Sequence, residues 1–178
     1  GNTWPWFHNI NGVPYRPLPN TLRRFTLDLG SSRSEVVEET IDETPITSFT
    51  RIDERFVTLP YRYFYVQYAD AGFDSGGRLG RTDGNCIGRF DLHTGTHKAF
   101  FPGPGRAVHE PVFIPRGDAS AEGDGYLLAV GHNLDQSTTE LYVLDARTMD
   151  ELARVTLPFK SSPQVHGTWA SSAALPLQ

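Results

Sequence analysis

Cysteine and methionine each occur once in these 178 residues, as Cys86 and Met149. A lone thiol cannot close an internal disulfide or furnish a cysteine-rich zinc site, so packing must hold the fold together. Long apolar runs are missing too. The longest candidates, Tyr126 to Val130 and Ala173 to Leu177, fall far short of the roughly 18 residues that a membrane-spanning helix needs. Basic charge is scarce: 16 Lys and Arg against 21 Asp and Glu leave a net charge of −5, with no Lys/Arg run, which argues against duplex nucleic acid as a partner. There is no His-Glu-x-x-His pair and no Gly-x-Ser-x-Gly elbow, and no histidine flanks Cys86, so nucleophilic hydrolysis lacks a candidate. The glycine-rich stretch Ser75 to Gly80 lacks the Lys-Ser/Thr ending of a phosphate loop, and no helical pattern follows it, so residues 74–85 read as a surface loop. With Gly1 first and Met149 the sole methionine, translation is expected to start upstream. The absence of a leader here therefore decides nothing about export; cytoplasmic residence is the default expectation.

What is present favours a folded, all-β chain. Hydrophobic residues make up 38% and charged residues 21%, enough apolar side chain for one ordinary domain and too little charge for a disordered segment. Seventeen Gly and thirteen Pro, with little helical periodicity, predict short strands joined by tight turns. Phe25, Leu27 and Leu29 alternate with Arg24, Thr26 and Asp28, and Tyr61, Tyr63 and Tyr65 alternate with Arg62 and Phe64. Such alternation marks strands with one buried face. Further strands are expected at Ile87 to Leu92, Pro111 to Ile114, Tyr126 to Val130, Leu141 to Asp145 and Leu152 to Leu157.

Three segments share one grammar of strand, Asp and turn: Arg24 to Gly30, Arg89 to Gly95 and Tyr142 to Thr148. Second strands follow at Glu35 to Ile41, His97 to Phe101 and Glu151 to Leu157. The Asp accepts hydrogen bonds from the turn backbone and Gly30 or Gly95 offers a left-handed conformation, so each unit reads as a β-hairpin. The aspartates stand 63 and 54 residues apart, room for one four-stranded sheet per interval, which suggests propeller blades. Closed propellers need roughly four to eight blades, so three repeats would be a sector. A β-sandwich with a coincidental repeat is the alternative that periodicity leaves open.

Six histidines, His8, His93, His97, His109, His132 and His166, are the stock of metal ligands. His93 and His97 flank a turn, Thr94-Gly95-Thr96, so their rings need not converge. His8 and His132, each followed by Asn, are expected in surface loops. His166, between Val165 and Gly167, suits a buried imidazole, either satisfied within a core or bound to a metal. Glu110 sits at the mouth of the apolar strand Pro111 to Ile114. It either caps that strand or is a buried acceptor that fixes the tautomer of a ligating imidazole. The loop Arg116 to Gly125 carries Asp118, Glu122 and Asp124 without the spacing of a calcium loop and reads as a solvated turn.

Five ordered runs together resemble the carotenoid cleavage oxygenase family: Arg51-Ile52-Asp53-Glu54-Arg55-Phe56 with Tyr61-Arg62-Tyr63; Glu110-Pro111-Val112-Phe113-Ile114-Pro115-Arg116; Glu122 to Leu128; Leu144-Asp145-Ala146-Arg147; and His166-Gly167-Thr168-Trp169. The resemblance runs from Trp6 to the end and corresponds to the C-terminal two-fifths or so of a full member. It implies an all-β sector of about three blades of a seven-bladed β-propeller, with residues 1–178 the C-terminal part of one propeller domain. It also implies a non-haem iron, Fe(2+), on the propeller axis and held by four histidines. Residue by residue, His166 matches the last iron ligand and Glu110 matches a glutamate that hydrogen-bonds a ligating histidine. The other three ligands would lie upstream of Gly1, so no other histidine here is promoted, and the 178 residues alone are expected to be inactive. One departure stands out: members usually read Glu-Phe-Pro where this chain has Ser48-Phe49-Thr50, so Ser48 replaces another such glutamate, with Asp42 and Glu43 the nearest carboxylates to stand in. The implied reaction is cleavage of a conjugated C=C bond of a carotenoid, apocarotenoid or stilbenoid by dioxygen to two carbonyl products. The Arg51 to Arg55 run and the Tyr61-Arg62-Tyr63 cluster look closer to bacterial or fungal stilbenoid-cleaving members. Implied partners are the apolar alkene and dioxygen, and the resemblance admits peripheral contact with a membrane surface. The competing reading is a truncated propeller module without activity, in which His166 and Glu110 are structural relics.

Overall fold

The computed structural model describes residues 21–30, 35–44, 50–73, 84–163 and 166–172. Two compact units divide the chain, Gly1–Pro45 and Ile46–Gln178. Among the described residues the regular elements are strands and one short 3₁₀ turn, and no helix is long and apolar enough to cross a membrane.

In the first unit β1 (Leu22–Leu27) and β2 (Val36–Asp42) pair as an antiparallel hairpin. Ion pairs Arg23–Glu38 and Arg24–Glu39 cross it. The alternation of Phe25 and Leu27 does mark a strand, but the expected burial is absent: Phe25 is 56% exposed and Leu27 60%. A two-stranded ribbon brings no second layer to cover its apolar face.

The second unit holds two antiparallel sheets. In one, β3 (Tyr63–Tyr68), β4 (Cys86–Asp91) and β5 (Thr96–Phe100) lie in that order. The other comprises β6 (Arg106–Val108), β7 (Val112–Pro115), β8 (Gly125–Asn133), β9 (Thr138–Asp145) and β10 (Glu151–Thr156). Both β6 and β7 pair with β8, β6 along Gly131 to Asn133 and β7 along Gly125 to Leu128. They are thus one strand at the edge of this sheet, interrupted at His109-Glu110-Pro111. Pro111 has no N–H to give the ladder and restricts the backbone of Glu110, which explains a break at this point. Sequence patterning anticipated only the second half of this strand.

Strand β3 also departs from its expected single buried face, because it is covered on both. On one side Phe64 and Tyr68 pack around Phe90, with ring centroids 4.8 and 5.9 Å away. On the other, Tyr65 stacks on Phe113 of β7 at 5.5 Å. The core between the two sheets continues through Ile87, Leu127 and Leu144, each fully buried.

The repeated grammar is visible in the backbone. Gly30 N–H donates to Asp28 Oδ1, His93 N–H to Asp91 Oδ1, and Arg147 N–H to Asp145 Oδ1, each at 2.9 Å. Arg62 also binds Asp91, at 2.8 and 2.6 Å, and holds its carboxyl well below the usual carboxylate range. In two of the turns the fourth residue after the aspartate is left-handed: Gly95 at φ 65° and Met149 at φ 66°. Each donates its N–H to the aspartate carbonyl at 2.9 Å. Gly30 does not adopt the left-handed conformation expected of it. Met149 tolerates one because its side chain is buried in the core, at 4% exposure, and packing offsets the backbone cost. A Cβ at Gly95 would meet nothing within 4 Å, so Gly95→Ala isolates that cost. We expect a loss of about 1 kcal/mol in urea unfolding; an unchanged midpoint would mean that the turn relaxes.

The Arg116 to Gly125 loop is the turn expected from its composition, exposed at residues 116–119 and 121, and it is also tied down. Arg55 Nη1 donates to the carbonyls of Gly117, Asp118 and Ser120 at 3.2, 2.9 and 3.0 Å. Glu122 Oε1 accepts the N–H groups of Arg62 and Tyr63 at 2.7 and 2.9 Å. Its backbone carbonyls and the Glu122 carboxylate fasten it to the preceding segment.

Candidate metal-ligand site at the strand break

The break between β6 and β7 places Glu110 in the interior, 1% exposed. A carboxylate so far from water needs compensating partners. Its Oε2 lies 3.3 Å from His166 Nδ1 and accepts the Gly167 N–H at 3.2 Å. Its Oε1 is 3.7 Å from Arg51 Nη1, and Arg51 Nη2 binds Glu54 at 2.8 Å. Arg51 is held by a two-way backbone bridge to Tyr65, both hydrogen bonds being 2.7 Å. The buried acid therefore meets a guanidinium on one side and the His166-Gly167 segment on the other.

The His166 side chain is 60% exposed, so it is not the buried imidazole its apolar context suggested. The carboxylate beside Nδ1 fixes the ring proton there. Nε2 then carries the lone pair, the form in which an imidazole binds a metal. This donor chemistry fits a metal ligand steadied by an acid. Among the described residues no three His, Cys, Asp or Glu side chains converge as a metal site, so they offer one ligating imidazole and its orienting carboxylate.

The remaining histidines are arranged differently. His93 and His97 are exposed, and the His97 ring stacks on Phe90 at 4.7 Å. His132 was expected in a surface loop but lies on β8, 7% exposed, in register with Ala107. Its Nδ1 is 2.8 Å from Nε2 of His109, itself 5% exposed. A usable signal for His132 was present: Asn133 Oδ1 accepts the N–H groups of Asp135 and Gln136, both at 3.1 Å. This is the same ending of strand, Asx residue and turn found in the three hairpins, and it places His132 inside the strand.

His8 and Ser48 lie outside the described residues. So do residues 74–83 of the glycine-rich loop. Of the two carboxylates considered as stand-ins for a glutamate at position 48, Asp42 accepts the Thr44 N–H at 2.7 Å and lies, with Glu43, in the first unit. Cys86 is fully buried, and burial, followed by the charge of Asp70, pushes its thiol up to about 12. It packs and does not react.

Residues 5–171 match the sequence profile of RPE65, the retinal pigment epithelial membrane protein family. Over 99% of its length the chain is 36% identical to lignostilbene-alpha,beta-dioxygenase isozyme III of Sphingomonas paucimobilis, covering 37% of that protein. Over 94% of its length it is 34% identical to resveratrol cleavage oxygenase 1 of Aspergillus fumigatus, covering 36%. Among solved structures, the lignostilbene dioxygenase of Pseudomonas brassicacearum superposes with a TM-score of 0.86 at 32% identity, over 96% of this chain and 37% of that one. The cobalt-substituted Synechocystis ACO superposes at 0.75 with 28% identity, over 91% and 33%. The chain thus spans little more than a third of the length of these relatives. The solved relatives are seven-bladed propellers, and this all-β chain matches a sector of that architecture.

Proposed function

The chain belongs to the carotenoid oxygenase family, and from this we propose that it supplies His166 to the Fe(2+) centre of a dioxygenase that cleaves a conjugated C=C bond to two carbonyl products. The observation that carries the reading is the contact between buried Glu110 and His166 Nδ1 at 3.3 Å. Such a pairing leaves Nε2 as the ligating atom, and the neutral imidazole suits ferrous iron. Ferrous iron, when bound, supplies the redox chemistry by which dioxygen reacts with the alkene. His166 would hold it, and Glu110 would keep the imidazole proton at Nδ1 and add negative charge nearby. Arg51 balances that carboxylate at Oε1, and Gly167 N–H donates to Oε2, the oxygen beside His166 Nδ1. No side chain described here need act as acid or base. A relative that accepts cobalt in its structure supports a metal centre in this family.

Residues 1–178 form, on this reading, the C-terminal part of a single propeller domain. The substrate is an apolar conjugated alkene, with stilbenoids ahead of carotenoids because the lignostilbene enzyme and one resveratrol enzyme match at 36% and 34% identity, against 29% and 31% for two carotenoid cleavage oxygenases. The test uses the full-length protein loaded with ferrous iron under dioxygen, presented separately with a hydroxylated stilbene and an apocarotenoid. Product analysis should find two carbonyl fragments from at least one of them. Iron-loaded protein that cleaves neither would overturn the assignment.

A further inference from the structure

We propose that the buried His109–His132 pair is a second anchor for the segment that carries His166, so that residues 161 and 167 are both tied to the strand break at His109-Glu110. The anchoring is independent of any metal; its consequence for iron rests on the function proposed above. His132 Nε2 lies 3.1 Å from the Ser161 carbonyl oxygen and 3.3 Å from Ser161 Oγ. A carbonyl oxygen only accepts, so His132 Nε2 carries the proton. In a neutral imidazole Nδ1 is then the acceptor, and His109 Nε2–H donates to it at 2.8 Å. The chain of donation runs from His109 through His132 to Ser161, and reversing it would break the bond to Ser161.

Ser161 is gripped from a second side. Its N–H donates to Thr139 Oγ1 at 2.9 Å, and Thr139, fully buried, is the β9 partner of His132 in the register of β8 and β9. Both backbone polar groups of Ser161 are therefore satisfied by one cross-strand pair. Six residues on, Gly167 N–H and His166 meet Glu110. His109 and Glu110 are consecutive, so one interruption of the strand sends Glu110 directly to residues 166 and 167 and sends His109 to His132, which holds Ser161.

Filling the space between strands does not by itself call for imidazoles. Two aliphatic side chains would pack there without the desolvation of four ring nitrogens. What the imidazoles add is a directed bond to a backbone carbonyl outside the sheet. Without Ser161 the last backbone tie before His166 among the described residues is Leu157 N–H to the Thr139 carbonyl at 2.8 Å, and a free chain of that length could carry His166 through roughly 30 Å, whereas ligand positions matter at the scale of about 0.5 Å. Fixing Ser161 shortens the reach to roughly 16 to 18 Å before any metal arrives, and the Glu110 contacts then have less freedom left to remove.

The experiment uses the full-length protein and three substitutions. His132→Phe keeps an aromatic ring, somewhat larger than imidazole, and deletes the bonds to His109 and Ser161; His132→Gln keeps an amide N–H directed toward Ser161; Thr139→Val removes the other grip on Ser161. Amide hydrogen exchange at Gly167 in iron-free protein is the first readout, and ferrous affinity with kcat and KM is the second. His132→Phe should speed exchange at Gly167 and weaken iron binding by about 10- to 100-fold, lowering kcat with KM unchanged. His132→Gln should restore both, and Thr139→Val should show the same pattern more weakly. Exchange at Gly167 and iron affinity both within twofold of the parent in folded His132→Phe would overturn the anchor. If that variant does not fold, an unchanged Gly167 in Thr139→Val does so. Retained iron in His166→Ala would sink the ligand assignment instead, and the iron-free exchange measurement would still decide the anchor.

Discussion

His166→Ala in the full-length protein should lose its bound iron and more than about 100-fold of its alkene cleavage, whereas Glu110→Gln should lose about 10- to 100-fold and retain weakened iron. The two differ because of what each atom does. Alanine removes the only imidazole that the described residues place beside a buried orienting acid. Glutamine keeps the volume and can still accept the Gly167 N–H, but it forfeits the negative charge that holds the Nδ1 proton and that Arg51 faces at 3.7 Å. Removing the charge of Glu110 also leaves Arg51 with Glu54 alone, an exposed partner whose pairing is worth little. Metal analysis beside product formation separates the two effects. If His166→Ala keeps a full complement of iron and its turnover, the site lies elsewhere.

Local chemistry was the legible part of this protein. The turns after Asp28, Asp91 and Asp145 follow from side-chain acceptors meeting backbone N–H groups two residues on, a relation contained within three residues. Pro111 likewise carries its consequence in its own covalent structure, since it ends one ladder and so exposes Glu110 to a different partner. What escaped were relations between segments distant in sequence. Alternation in β1 announces a strand but says nothing about whether a second layer covers Phe25 and Leu27. The Val165-His166-Gly167 context suggested burial, yet the burial belongs to Glu110, 56 residues away. His132 was misplaced because asparagine after histidine resembles loop composition, although that asparagine closes the strand it follows. Arg55 belongs to a sequence motif, but its partners at Gly117, Asp118 and Ser120 lie 62 to 65 residues on and come within reach only when the chain folds back.

That motif divides into two jobs, which sets the second large effect. Arg51 faces the site through Glu110, whereas Arg55 touches no group there and binds structure. Its Nε and Nη2 bind Asp53 at 2.9 and 2.6 Å, and its Nη1 reaches three loop carbonyls. Asp53 is 2% exposed and also caps the 3₁₀ turn Glu54–Phe56. Arg55→Ala strands a buried carboxylate and releases the loop together, so it should cost about 3 kcal/mol, the lower end for breaking a buried pair because the guanidinium keeps some access to water. Arg55→Lys keeps the charge but cannot serve a bidentate acid and three carbonyls at once, and should lose about 1 to 2 kcal/mol. Urea unfolding measures both. Iron bound per folded molecule should stay near the parent value in Arg55→Ala, in contrast to His166→Ala; a parallel fall in iron would show that the loop and the Glu110 site move as one, and would return Arg55 to the site.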